Sequence, residues 1–285
     1  IPTYFGTLAP ILGKAVMDQR YPILQQNVSA GLSMLIRRHY SAAYPSEEVI
    51  SKNNGGDDDD DQDEQNVNQH QNNETIAVAA KISVEEAQTI LPCIAKFAPN
   101  FLPVFFAQYE QAHMMGNTLT ATNLLSAATW YCKLTEQTFL DTLANKLLTK
   151  LLKATTADVA AAGNASALLG LALAVVGAPQ LSNKSVHDFY RTLRPLLSGE
   201  VSEMLQKRAY KVLSALCEHH ISKADTSSTE WAWVTELGAL LQDSLLSVSS
   251  TVKRHRLKCL SYVVQGLNLA SEDGKIFVVR MIGEV

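Results

Sequence analysis

Apolar residues recur every three or four positions along most of the chain. Leu8, Ile11, Leu12 and Ala15 form one stripe within about 4–18, and Val28, Leu32, Leu35 and Ile36 form a second in a segment that opens near Pro22. Proline suits a first helical turn. Arg37, Arg38 and His39 close that second pattern, where cations complement the helix dipole. The periodicity stops over about 46–81 and then holds to the end. It predicts helices over about 83–97, 99–114, 118–132, 135–153, 164–177, 183–197, 200–221, 229–247 and 251–270, with a partial one from 275. Turn signals separate them: Ala98-Pro99, Gly116-Asn117, Gly177-Ala178-Pro179, Ser198-Gly199, Asp225 to Ser228 and Asp273-Gly274. Pro92, Pro103 and Pro195 fall inside helical patterns and predict kinks or interruptions. No alternating strand pattern appears; the four residues IFVV from Ile276 are a short β-like run.

The second helix of each later pair repeats a theme. NLLSAATWYC from Asn123, ALLGLALAVV from Ala167, RAYKVLSALC from Arg208 and RLKCLSYVVQ from Arg256 start about 41–48 residues apart, the period of HEAT and armadillo repeats. In the third, Ala209, Val212, Leu213 and Leu216 make one stripe, with Lys207, Arg208 and Lys211 off it. The expected fold is all-α, a HEAT/armadillo-like α-solenoid of stacked antiparallel helix pairs. Residues 1–45 are a first helical repeat, 46–81 an acidic, Asn/Gln-rich disordered insert, and 82–285 the continuing solenoid. The ends carry no initiator Met and no polar cap, so the chain reads as a segment of a longer protein.

Composition sharpens this picture. Hydrophobic residues make up 47% of the 285 positions and charged residues only 18%, with Leu and Ala dominant: an alphabet for buried helices. Net charge is −4, which excludes a strongly basic nucleic-acid module over the whole length. The acid is concentrated in Asp57–Asp61, Asp63 and Glu64, and without it the remainder is mildly basic. Within the insert, the stretch KNNGGDDDDDQDEQNVNQHQNNE from Lys52 has almost no apolar residues, so it cannot bury enough surface to offset chain entropy. The apolar run from Ala165 to Ala178 is about 14 residues, short of the ~20 that span a bilayer. It reads as a helix buried on most sides, with no membrane partner.

The catalytic signatures GxxxxGK[ST], GxGxxG after a strand, HExxH and GxSxG are all missing from the sequence. Cys93, Cys132, Cys217 and Cys259 lie far apart, as buried thiols of a reducing compartment do. His255 and Cys259 have i,i+4 spacing, but two ligands do not make a metal site. The expectation is no enzyme, no cofactor and no metal. The basic positions are the candidate contacts: Arg37 and Arg38 near the start, Lys207, Arg208 and Lys211, and one repeat later Lys253, Arg254, Arg256 and Lys258. Stacked in register, the two later clusters align along one ridge. Such a ridge serves either as a solvated face or as a contact for phosphate or an acidic partner.

Several stretches carry a resemblance: APNFLPVFFAQYEQA from Ala98, FLDTLANKLLTKLL from Phe139, LLGLALAVV from Leu168, and VHDFYRTLRPLLSGEVSEMLQKRAYKVLSALCEHH from Val186. The most specific text lies in Phe189 to Leu197 and Gln206 to Leu213. The chain resembles, over roughly Val84 to Leu267, the central region of the ribosomal-RNA-processing protein twelve family, long HEAT-repeat proteins of the nucleolus. The resemblance implies a non-enzymatic scaffold in ribosome biogenesis. Its implied partners are pre-ribosomal RNA, other small-subunit assembly factors, a Ran-type GTPase and nuclear pore components. Its implied location is the nucleolus and nucleus, with shuttling to the cytoplasm. Two readings compete with it: a karyopherin-like transport receptor, and a regulatory scaffold subunit for a phosphatase or kinase. The resemblance assigns no contact to any residue.

Overall fold

The most apolar helix is also the most enclosed. Ala162–Val176 is flanked by helices on both sides, and Ala167, Leu168, Leu171, Ala172, Val175 and Val176 are all excluded from solvent. The computed structural model describes residues 2–45, 82–156, 162–221, 232–244, 248–266, 275–276 and 279. These residues are helical with short turns and hold no strand. The fold is all-α, of the α-solenoid kind. The acidic insert and the turn at Asp225 to Ser228 lie outside the described residues.

Eleven α-helices are described: α1 (Pro2–Met17), α2 (Pro22–Ala43), α3 (Val84–Ala95), α4 (Ala98–Met114), α5 (Thr118–Leu134), α6 (Gln137–Thr156), α7 (Ala162–Val176), α8 (Asn183–Leu193), α9 (Glu203–His220), α10 (Ala232–Asp243) and α11 (Lys253–Gly266). Lys275, Ile276 and Val279 are helical too, so the β-like reading of IFVV does not hold at those positions. The chain divides into two units, Ile1–Leu134 and Thr135–Val285.

In the first unit α1 pairs with α2 and α4 with α5, and α2 packs along α5. Gln26 Nε2 donates to Thr120 Oγ1 at 2.8 Å, and Ser33 and Ser126 hydroxyls meet at 2.7 Å. These partners are 94 and 93 residues apart in sequence, twice the repeat period. The acidic insert and α3 fill the difference. α3 starts on a capping box, with Ser83 Oγ accepting from Glu86 N at 3.1 Å and Glu86 in the reciprocal position. Pro92 leaves α3 helical, but the chain turns by 68° between α3 and α4 at Lys96-Phe97, just before Ala98-Pro99. Pro99 sits in the first turn of α4, where its missing N–H leaves no helical bond unmade. Pro103 is accommodated inside α4.

Beyond α4 the chain reverses through a Schellman turn. Gly116 has φ +70°, Asn117 N donates to Ala112 O at 2.9 Å, and Gly116 N donates to His113 O at 3.1 Å. Asn117 Oδ1 then accepts from Thr120 N at 3.2 Å and caps α5. Behind this hairpin Phe101, Phe105 and Tyr131 stack with centroids 5.4–5.8 Å apart, so the family-like text APNFLPVFF is core aromatic packing.

In the second unit the repeats follow in register. α6 pairs with α7, α8 with α9 and α10 with α11, while α7, α9 and α11 pack in succession. Arg208 Nη1 reaches Ser166 O at 3.3 Å and His220 Nε2 lies 2.9 Å from Val176 O. These partners are 42 and 44 residues apart, the period read from the sequence. On the other row, Asp141 Oδ1 accepts from Ser182 Oγ at 2.8 Å and Ser185 Oγ at 2.6 Å. Tyr190 meets Trp233 at 5.7 Å, and Arg194 pairs with Glu236. Pro195 interrupts the 183–197 pattern: α8 ends at Leu193 and Arg194–Leu197 is a 3₁₀ turn. Among the described residues no single helix is long and apolar enough to cross a membrane.

Candidate functional site

The paired motif at Phe189–Leu197 and Gln206–Leu213 is a joint. Gln206 is buried, and its Nε2 donates to Leu197 O at 3.1 Å and Ser198 O at 3.0 Å. The first half of the text therefore ends on carbonyls held by the first residue of the second half. Ser249 N approaches Gln206 Oε1 at 3.5 Å, which ties in the next repeat. Leu193, Leu196, Leu197, Ala209, Val212, Leu213 and Leu216 are buried around it. All of this is structural work, and it explains why the text is specific without carrying chemistry.

The basic residues separate into three groups. Arg37 and Arg38 are exposed near the end of α2 in the first unit. Arg208 is half-buried and bonded to the start of α7, as described. Arg256 is not a surface cation: it is 2% exposed, and its Nε donates to Leu241 O at 2.8 Å with Nη2 on the same carbonyl. Leu241 lies in the last turn of α10, where carbonyls lack helical partners, so the guanidinium caps that end. Tyr210 Oη and Ser244 Oγ meet at 3.3 Å beside it, and Ser244 Oγ also donates to Leu241 O at 3.1 Å. The i,i+3,i+4 pattern of α11 placed Arg256 beside its basic neighbours in sequence, but the helix turns it inward.

Four of the remaining cations act on one histidine. Lys207 and Lys211 are partly exposed on α9; Lys253 and Arg254 are exposed and Lys258 is partly exposed on α11. The two helices run side by side in parallel. Thr251 Oγ1 donates to Glu203 Oε1 at 2.6 Å, and Cys259 Sγ lies 4.0 Å from Tyr210 O. Between these fixed points stands His255, half-buried. Burial, and then the charges of Lys211, Lys258, Lys207 and Arg254, push its pKa down to about 4. Four cations from two helices thus converge on one imidazole. In sequence His255 stood with these cations inside the KRHR run and at i,i+4 spacing from Cys259, but its burial was not visible there.

Other chemistry is sparse. Among the described residues no group of three or more His, Cys, Asp and Glu side chains is placed to hold a metal ion. Cys132, Cys217 and Cys259 are buried, and burial raises the Cys132 thiol to about 12 and the Cys217 thiol well above its ordinary value. Such thiols are poor nucleophiles. An open apolar groove of about 560 Å³ lies between α1 and α2, lined by Tyr4, Phe5, Leu8, Leu12, Val28 and Leu32, with Asn27 as its polar side chain.

Repeated helix pairs with buried stripes and motifs define an α-helical repeat protein of the solenoid kind. The chain resembles the RRP12-like proteins. It is 31% identical over 193 residues to the RRP12-like protein of Homo sapiens and 30% identical over 193 residues to that of Gallus gallus. The match covers 67% of this chain and 14% of each relative, so the chain spans a small part of their length. No protein-family model matches the chain.

Proposed function

We propose that this chain is part of a non-enzymatic scaffold in ribosome biogenesis that associates with small-subunit pre-ribosomal particles. The observation that carries the reading is the similarity to RRP12-like proteins over 193 residues. The residues of the paired motif support it, because they build the joint between repeats that a long helical scaffold needs. Surface binding without turnover is the corresponding mode of action. Each helix pair buries its stripe on the next, and the residues off the stripe are left to partners. Ribosomal-RNA processing and nuclear export are the steps served, with pre-ribosomal RNA, assembly factors, a Ran-type GTPase and nuclear pore components as partners. The location is nucleolar and nuclear, with shuttling to the cytoplasm.

The test is affinity purification of the full-length protein from its own cells, with identification of bound RNA and protein. Enrichment of small-subunit precursor RNA with assembly factors is the expected result. Recovery of Ran and cargo without precursor RNA overturns the proposal in favour of a karyopherin-like receptor. Recovery of a phosphatase or kinase core overturns it in favour of a regulatory subunit.

A further inference from the structure

We propose that the groove between α1 and α2 is a face between repeats, and that a further helix pair of the same polypeptide, outside these 285 residues, fills it. The inference goes beyond the ribosome-biogenesis reading and does not depend on it. The pair α1–α2 stacks on α4–α5 through one side, where Ser33 and Ile36 of α2 are buried. A second stripe on α2 lines the groove. Leu24, Val28, Gly31 and Leu35 stand at i, i+4, i+7 and i+11, a row about 16 Å long. Tyr4 and Leu8 of α1 form the other wall. Tyr4 is 74% exposed, and Leu8 and Leu24 are each 47% exposed.

Elsewhere in the chain such a face is covered by another helix pair: α9 is flanked by α7 on one side and α11 on the other. Scattered apolar residues are ordinary at a surface, but a contiguous apolar groove of about 560 Å³ marks an interface. A repeat that ends a solenoid shows a polar outer face to water. The outer face of α1–α2 is apolar, with Asn27 as its polar side chain, so the pair is built as an internal repeat. Chain length can supply the neighbour, since the 193 matched residues are 14% of each relative. The bonds Gln26–Thr120 and Ser33–Ser126 advance together along both helices, so α2 and α5 run parallel, as α9 and α11 do. One helix of the occupant therefore lies parallel to α2 along the stripe. Gly31 marks its closest approach. Glycine weakens a helix interior, and a Cβ at Gly31 would meet nothing within 4 Å. The 285 residues give no packing reason for this glycine, and a close neighbour on the open side does.

The experiment uses the full-length protein in its own cells, with Leu8 replaced by the photo-crosslinking residue p-benzoylphenylalanine. Two differently tagged copies are co-expressed and only one carries the cross-linker, so links within a polypeptide are separated from links between copies. Irradiation and peptide mass spectrometry then identify what lies against the groove. The expected result is a link to the same polypeptide outside these 285 residues. Gly31→Leu should cut the yield of that link severalfold, because the added side chain blocks the close approach. In the 285-residue chain alone Gly31→Leu should keep or raise the thermal midpoint, since its side chain enters open space and leucine is the better helix former. A link to the other copy overturns the proposal in favour of a dimer face, and a link to a different protein overturns it in favour of a partner site. Links confined to the 285 residues, or no link at all, overturn it too. So does an undiminished yield with Gly31→Leu, or a lowered midpoint of that variant in the 285-residue chain.

Discussion

Single side chains decide which of the sequence's cations face solvent. Arg254 and Arg256 are two residues apart, equally basic in sequence, and opposite in role: one is exposed and the other caps α10 through Leu241 O. Removing a hydrogen-bonded charged donor from a buried site costs about 1.5–3 kcal/mol. Arg256→Ala should therefore lower stability by that amount in urea unfolding, and Arg254→Ala should stay within about 0.5 kcal/mol. Equal effects would show that Arg256 does not hold α10. His255 supplies a second residue-scale prediction. Its folded pKa, about 4, lies below the ordinary value of 6.5, so the unfolded chain takes up the proton first as pH falls. His255 contributes nothing to pH dependence above about 6.5, and destabilises progressively as pH drops from there to about 4. The melting temperature of wild type relative to His255→Gln should fall over that window and level off below it. A flat difference would place the ring in solvent, away from Lys211, Lys258, Lys207 and Arg254. Neither role was legible in the sequence, because helical spacing says which residues share a stripe but not which neighbouring carbonyl or charge meets them.

Helices were the legible level. The spacing of Ala209, Val212, Leu213 and Leu216 marked a stripe, and all four are buried in α9. Leu213 is excluded from solvent, so Leu213→Ala should cost about 2–5 kcal/mol in chemical denaturation. A change under about 0.5 would put the stripe on the wrong face. The boundaries that were missed have local causes. Pro195 was expected to perturb the helix, yet sequence could not say that the chain tightens into a 3₁₀ turn whose carbonyls Gln206 then collects. The two patterns before and after Ala98-Pro99 were separable, but their 68° turn was not, because it depends on α3 packing against α2 while α4 packs against α5. The period of the later repeats was read correctly from the recurrence of similar text, and it is the separation of the partners in the bonds between α7 and α9. The first unit breaks that period, since Ser33 and Ser126 are 93 residues apart, and the break could not be seen in a stretch with no repeating text.

The whole chain carries an acidic run of 46–81 between two segments that belong to one core. Ala43 at the end of α2 packs with Ala87 and Leu91 of α3, and Ile82, Ala42 and Leu134 pack against the same cluster. The residues that bracket the run are therefore held together by contacts that do not involve it. Residues 1–45 read in sequence as the first helical repeat of a solenoid that continues in 82–285, and α2 packs against both α3 and α5. The composition of the run could be read as an insert, but the closeness of its ends could not, because that is a property of the packed helices. Two consequences follow for a chain lacking 53–73. The remaining connection still spans ends that meet in one cluster, and shortening a closed loop by half changes its closure entropy by only about 0.6 kcal/mol. No cluster residue is lost. The deletion should leave the thermal midpoint nearly unchanged and keep the Gln26–Thr120 and Ser33–Ser126 contacts between α2 and α5. The deletion also removes seven acidic charges from the chain. Its affinity for random single-stranded RNA should therefore stay equal or rise. A large drop in midpoint would mean that the run packs on the helices, and loss of RNA affinity would mean that the run itself takes part in binding.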